Sequence, residues 1–245
     1  IGGGKIRDAA SESGEQALYC IDGLDYIVSQ LAAISPDIIT LQEIHGDSKL
    51  NQAEYIASKL GLDYLVSDFY ADSHVEEGQK LGQAIISRFP ISEHSFQFFY
   101  NPGYRVERQN GSTMVSHDKG LTTCSIETKG RYIEVKTLHL IPFRPFNIEP
   151  QSDSAKKVLE DVEDKLQSTS SSLLVQGDFN LDFSSLAEVL PRTLQEAEEL
   201  FQDVPTTPKG RKYDHVLYRG IELLDNEVDS SALTDHYPLR MTFNL

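Results

Sequence analysis

Leu173-Leu174-Val175-Gln176-Gly177-Asp178-Phe179-Asn180 joins an apolar run, short enough for a buried strand, to an acid and an amide two residues apart. If the extended backbone persists to Asn180, the side chains of Asp178 and Asn180 leave the same face. Near the C-terminus Thr234-Asp235-His236-Tyr237-Pro238 answers this segment, and Glu43 follows the apolar Leu41. Together they offer oxygen and imidazole ligands suited to binding a hard cation and splitting a phosphate ester.

Around that segment, helix and strand signals alternate. Leu24, Ile27, Val28, Leu31 and Ile34 recur at helical spacing until Ser35-Pro36, and Ile38 to Leu41 comes next as a strand. Ala53, Ile56, Ala57 and Leu60 mark a second helix closed by Gly61, with a strand expected over Leu62 to Val66. Strands are also expected at Gly82 to Ser87, Leu121 to Ile126 and Tyr132 to Leu140. Pro150 opens a third helix carried by Ala155, Val158, Leu159, Val162 and Leu166, and the serine run 168–172 reads as a loop. A weaker helix is expected over Thr193 to Phe201, then closing strands at Asp214 to Tyr218, Ile221 to Leu224 and Leu239 to Phe243. Alternating units in both halves, with consecutive strands between them, fit two packed sheets with helices on their outer faces. Glu43, Asp178, Asp214 and Asp235 then fall at strand ends, where loops converge on one rim.

Composition sets the frame. A chain of 245 residues, 39% hydrophobic and 24% charged, is an ordinary globular one with room for a full core, and one domain is the expected count. No apolar run reaches membrane-spanning length. A net charge of -16 opposes loose association with nucleic acid or anionic membranes, so an anionic substrate must be met locally. Lys209-Gly210-Arg211-Lys212 and the pair Arg105 and Arg108 are local cations, read first as solvated loop charge. Cys20 and Cys124 are far apart and lack metal-ligand spacing, so they are read as packed thiols. No secretory or transit segment is visible, although the chain begins at Ile1 rather than Met, and cytoplasm is the expected compartment. Oligomeric state is not legible.

Six segments carry a family resemblance: Leu41-Gln42-Glu43, Gly82 to Ile91, Thr137-Leu138-His139-Leu140, Gly177-Asp178-Phe179-Asn180, Tyr213 to Leu217 and Thr234 to Leu239. In this order they resemble the endonuclease/exonuclease/phosphatase superfamily, from Leu41 to the C-terminus. The resemblance implies an α/β fold, the four-layer α/β/β/α sandwich of two packed mixed sheets with helices outside, and hydrolysis of a phosphate ester by activated water.

It also implies roles. Glu43 would bind a divalent cation with Asp235 near it, magnesium first and manganese as the second candidate; one or two carboxylates suffice for such an ion. His236 matches the histidine that contacts phosphate or activates water, and Asp214 the acid that orients it. Asp178 would orient or deprotonate the attacking water, and Asn180 would donate to a phosphoryl oxygen. His139 resembles a general acid or phosphate contact.

His74, His94, His117 and His215 are read as structural histidines, Lys119-Gly120 as a turn, and Glu160, Asp161, Glu163 and Asp164 as a solvated helix face. Members of the superfamily usually open with a strand ending in a metal-contacting asparagine. Ile1-Gly2-Gly3-Gly4 resembles the stretch just after that asparagine, so residues 1–245 are expected to form one catalytic domain lacking the strand. The absence of Trp argues against the inositol phosphatase branch. The Asp178 and His139 motifs lean toward phosphodiesterases acting on nucleic acid, held through local cations and aromatic stacking on Tyr100, Tyr104 or Phe143. A lipid or small-molecule phosphoesterase, and a catalytically idle binding domain, are the alternatives.

Overall fold

The computed structural model describes residues 1–10, 17–183 and 185–245. Helix α1 (Leu24–Ile34) ends where Ser35 turns left-handed at φ 47, and α2 (Gln52–Leu60) is capped by Asn51, whose side chain accepts from the amides of Ala53 and Glu54. Gly61, at φ 64, closes α2 in the left-handed region that favours glycine, and the Leu62 amide then reaches back to the Ala57 carbonyl. That cap occupies Leu62, so the expected strand starts later, at Tyr64.

Three antiparallel strands, β1 (Ile38–Gly46), β2 (Tyr64–Asp72) and β3 (Lys80–Ser87), form one sheet in the order β1-β3-β2. The larger sheet has six: β4 (Ile91–Phe98), β5 (Gly120–Thr128), β6 (Arg131–His139), β7 (Leu173–Asp178), β8 (Glu198–Leu200) and β9 (Asp214–Arg219). Their order is β8-β9-β7-β6-β5-β4, and only β6 and β7 run parallel, joined by a crossover that contains α3 (Asp153–Leu166). Pro150 lies in the turn before α3, which starts after Ser152. A hairpin of β10 (Glu222–Val228) and β11 (Leu239–Asn244) closes the chain.

Side-chain alternation sorts these strands into layers. Ile39 and Leu41 face outward under Ile27, Ile56 and Ala57 of α1 and α2. Leu173, Val175, Leu121 and Leu138 face outward under Val158, Leu159 and Val162 of α3. Between the sheets lie Ile85, Cys124, Ile126, Val135, Leu174 and Val216. Polar bridges cross the same layer: Thr40 donates to Gln176 at 2.8 Å, Gln42 to Thr137 at 2.7 Å, and Gln83 to Thr122 at 3.0 Å. The architecture is the expected α/β/β/α sandwich.

Three readings need correction. Residues 193–201 are not a helix: Thr193–Gln195 makes one 3-10 turn, and Glu198–Leu200 then pairs with β9, where its extended backbone satisfies the sheet edge and places Leu200 in the core. Glu163 is not solvated, because its buried carboxylate accepts from the Arg192 amide at 2.7 Å and Nε at 2.9 Å. Cys20 is exposed, whereas Cys124 is the packed thiol, its pKa pushed up to about 12 by burial. No helix among the described residues is long and apolar enough to cross a membrane.

Candidate active site

Register brings three of the expected residues together. His139 ends β6 opposite Asp178 at the end of β7, and Asp178 stands opposite Asp214 at the start of β9. All three belong to the alternation that faces between the sheets, at one rim of the sandwich. His236, from the segment before β11, hydrogen-bonds through Nδ1 to Asp214 Oδ2 at 2.7 Å and turns Nε2 toward Asp178 Oδ2 at 3.9 Å. His139 Nε2 lies 3.4 Å from Asp178 Oδ2 and 3.9 Å from Glu43 Oε1. Glu43 reaches this rim because β1 bulges between Gln42 and Ile44, with Glu43 in the left-handed region at φ 55.

Asn180 is placed differently from the same-face geometry. The strand stops at Asp178, and Asn180 turns left-handed at φ 52. Its amide N–H donates to Asp178 Oδ1 at 2.8 Å, and its side-chain nitrogen donates to the Leu140 carbonyl at 2.8 Å. The turn keeps Asn180 beside Asp178 through the hydrogen bond and not through strand alternation. Asp235 packs over Gly2, and its Oδ1 is buried without a hydrogen-bond partner.

A family model described as Endonuclease/Exonuclease/phosphatase family matches residues 11–236. The chain belongs to that family. Solved structures share the fold. An endonuclease/exonuclease/phosphatase from Beutenbergia cavernae DSM 12333 is 17% identical, covering 98% of this chain and 70% of that one at a TM-score of 0.71. TDP2 of D. rerio, complexed with single strand DNA product, is 16% identical over 91% of each chain, at 0.61. The mannosyl-6-phosphatase Bt3783 of Bacteroides thetaiotaomicron VPI-5482 is 13% identical over 91% of this chain and 90% of that one, at 0.60. No curated protein matches the sequence significantly. The family's members are phosphoesterases, and this chain is a phosphoesterase of the endonuclease/exonuclease/phosphatase superfamily.

In this family member the charges at the rim are unequal. Burial raises the Asp178 carboxyl to about 7, helped by the neighbouring Asp214 and opposed by His236. Burial alone would lower His236, yet the Asp214 and Asp178 carboxylates outweigh it and hold the imidazole at about 10. Glu43 is likewise opposed by burial, but His139 and Lys119 bring it down to about 2, so it is ionised. Burial and Lys119 push His139 well below the ordinary histidine value.

Lys119 is the residue that sequence reasoning missed. It is not merely part of a turn: it is buried, with Nζ 2.5 Å from His139 Nε2 and 3.0 Å from Nδ1. Tyr70, also unflagged, sets its hydroxyl 3.0 Å from His139 Nδ1. The signal for Lys119 was its place before the Leu121 strand, where chains of the resembled family often carry a basic residue and glycine, and a turn alone sufficed to explain it. His215 is structural, bonded to Glu199 at 2.7 Å and to the Leu181 carbonyl at 2.9 Å, and His94 pairs with Asp68. His74 and His117 face each other with ring centroids 6.0 Å apart.

The stacking and basic segments are mostly occupied elsewhere. Phe143 is buried and Tyr104 packs against the outer core, while Tyr100 lies beneath Lys157 Nζ at 4.0 Å. Arg211 pairs with Asp182, and Lys212 is buried against Glu199 and His215. Arg105 is exposed on a short hairpin, Arg105–Glu107 with Thr113–Val115.

Dependence on a divalent metal is general in the family. Among the described residues, no three His, Cys, Asp or Glu side chains converge as a ready-made ion cage. A hard ion that keeps most of its waters needs less, one or two carboxylates, and ionised Glu43 and the unpartnered Asp235 Oδ1 are groups of that kind. By their chemistry, hard carboxylate oxygens suit such an ion.

Proposed function

We propose that the chain is a divalent-metal-dependent phosphodiesterase, a nuclease in which water attacks phosphorus in line with the leaving oxygen. The row Asp214, His236, Asp178 and His139, closed by Glu43, carries this reading. Asp178, raised to about 7, is matched to taking a proton from the attacking water near neutral pH. As the water oxygen bonds to phosphorus, Asp178 keeps the proton taken from the water, the ester P–O bond breaks, and the leaving oxygen takes a proton from solvent to depart as an alcohol. His236, held cationic by Asp214, contacts a phosphoryl oxygen and opposes its growing charge, and Asn180 adds a donor. His139 contacts the phosphate or the leaving oxygen. Glu43 and Asp235 hold the ion, magnesium or manganese, which when bound supplies Lewis-acid stabilisation. Residues 1–245 act as one catalytic domain.

Nucleic acid is the preferred substrate because the Gly177-Asp178-Phe179-Asn180 and Thr137-Leu138-His139-Leu140 motifs lean to nucleases, and TDP2 of D. rerio is complexed with single strand DNA product. A small or lipid phosphoester is the second reading. It is favoured by the net charge of -16 and by the burial of Phe143.

Hydrolysis of bis-p-nitrophenyl phosphate with magnesium, against an EDTA control and Asp178→Ala, tests the chemistry. Metal-dependent product lost at least about 10²-fold in the variant is expected; no metal-dependent product would favour an idle binding domain. A panel of single-stranded DNA, duplex DNA, RNA, sphingomyelin and inositol phosphates then tests the substrate, and cleavage confined to the non-nucleic-acid members would remove the nuclease reading.

A further inference from the structure

Single exposed aromatic side chains are ordinary on a protein surface and by themselves decide nothing. Tyr132 is 58% exposed, yet it stands near the start of β6, at the rim away from His139. Phe98, 53% exposed, is placed otherwise. It ends β4 opposite Gly120, and Gly120 is one register step beyond the pair of Leu121 with Leu138, which sets it beside His139. Phe98, Gly120, His139, Asp178 and Asp214 therefore form one row across five neighbouring strands, and side chains in such a row leave the same face of the sheet. The row of catalytic groups ends in an exposed ring.

Other rings back it. Phe98 meets Phe96 edge to face, with centroids 5.0 Å apart and planes at 83°. Phe96 lies nearly parallel to Tyr70 at 6.3 Å, and the Tyr70 hydroxyl is 3.0 Å from His139 Nδ1. Gly120 makes room for this ladder, because a Cβ there would stand 2.5 Å from Phe96 Cζ. Two strand spacings, roughly 10 Å, separate Phe98 from His139, a distance that a sugar and its base span from the scissile phosphate. Phe143 is buried and Tyr100 lies under Lys157, so neither is open to a base. A net charge of -16 weakens attraction through phosphate alone, whereas stacking on a ring needs no charge.

We propose that Phe98 is a stacking platform for one of the two bases that flank the scissile phosphate. Phe96 and Tyr70 hold its ring at the end of the row, so that a stacked base fixes the phosphate over His139 and Asp178. The inference rests on the nucleic-acid reading above.

A thymidine tetranucleotide whose central linkage is a phosphodiester and whose outer two are methylphosphonates offers one cleavable bond. Two analogues lack the base on one side or the other of that bond. In the unaltered full chain with magnesium, one analogue is expected to show a kcat/KM at least about fivefold below that of the intact tetranucleotide. Phe98→Leu, which keeps apolar bulk without a ring, is expected to show the same loss on the intact substrate, carried by KM, and no further loss on that analogue. Phe98→Tyr is expected to recover the original KM. Equal kcat/KM of the original and Phe98→Leu on the intact tetranucleotide, an equal loss in Phe98→Leu on all three substrates, or no recovery in Phe98→Tyr would overturn the inference and leave the phosphodiesterase reading standing. No magnesium-dependent cleavage of the intact tetranucleotide would also overturn it, and single-stranded DNA left uncut as well would remove the nucleic-acid reading with it.

Discussion

His236 Nδ1 donates to Asp214 Oδ2 at 2.7 Å, and the two residues come from segments that meet only in the folded chain. The pair explains why an imidazole beside the catalytic acid stays cationic at about 10 although burial works against it. In Asp214→Asn, the histidine signal followed by NMR is expected to titrate well below its original value, toward the ordinary ~6.5. Because a raised pKa stabilises the fold below the ordinary value and ceases to as pH passes about 10, the stability gap between original and variant narrows from pH 7 to pH 11. Turnover falls about 10²-fold or more. An unmoved histidine titration would show that another group holds the charge.

Gly177 precedes the catalytic acid for a steric reason. A Cβ there would stand 2.3 Å from the Leu138 carbonyl oxygen and 2.9 Å from its nitrogen, in the register pair just before His139 and Asp178. Gly177→Ala therefore pushes β6 and β7 apart where their ends hold the site. Loss of about 1–3 kcal/mol in urea unfolding is expected, and a displacement of a fraction of an ångström at Asp178 lowers turnover by about 10²-fold. Turnover equal to the original would mean that the strands absorb the methyl elsewhere.

Asn180 carries both backbone strain and a polar side chain at φ 52. Glycine accepts that backbone region, whereas alanine pays about 1–2 kcal/mol in it. Asn180→Gly is expected to unfold within about 1 kcal/mol of the original yet to lose most of its turnover; Asn180→Ala loses both. Thermal unfolding and initial rates on one diester separate the two effects. Full activity in Asn180→Gly would remove the side chain from the mechanism.

The periodic helices α1 to α3 and the apolar strands were legible because burial of one face writes a 3.6 or 2.0 repeat into the chain. The rim was legible through motif order, which named His139, Asp178, Asp214 and His236 before their register was known. Short-range pattern failed where long-range pairing takes over. Glu198-Glu199-Leu200 reads as helix until β9 recruits it, and Asn180 leaves strand geometry because its side chain is drawn to the Leu140 carbonyl. Lys119 was passed over as a turn, despite the basic residue and glycine that related chains carry there, because nothing local shows that it reaches across to His139, 20 residues away. Glu163 gave no sign of burial, since its partner Arg192 lies 29 residues on.

Glu199 is the hub of a buried ionic cluster behind the site. Its carboxylate accepts from Lys212 Nζ at 3.1 Å, His215 at 2.7 Å, Ser185 at 2.7 Å and the Leu186 amide at 3.0 Å. His215 in turn bonds the Leu181 carbonyl, so the cluster ties the loop that leaves Asn180 to the strand that carries Asp214. Burial would raise the Glu199 carboxyl, but the bonds from His215 and Ser185 and the charge of Lys212 bring it from 4.5 to about 2. A depressed acid contributes its stability above the unfolded value and loses it as pH falls through the folded one. Glu199→Gln is therefore expected to lower the urea-unfolding free energy by about 3 kcal/mol at pH 7, with the deficit shrinking between pH 4.5 and about 2. A deficit constant with pH over that window would show that shape, rather than charge, is what Glu199 supplies.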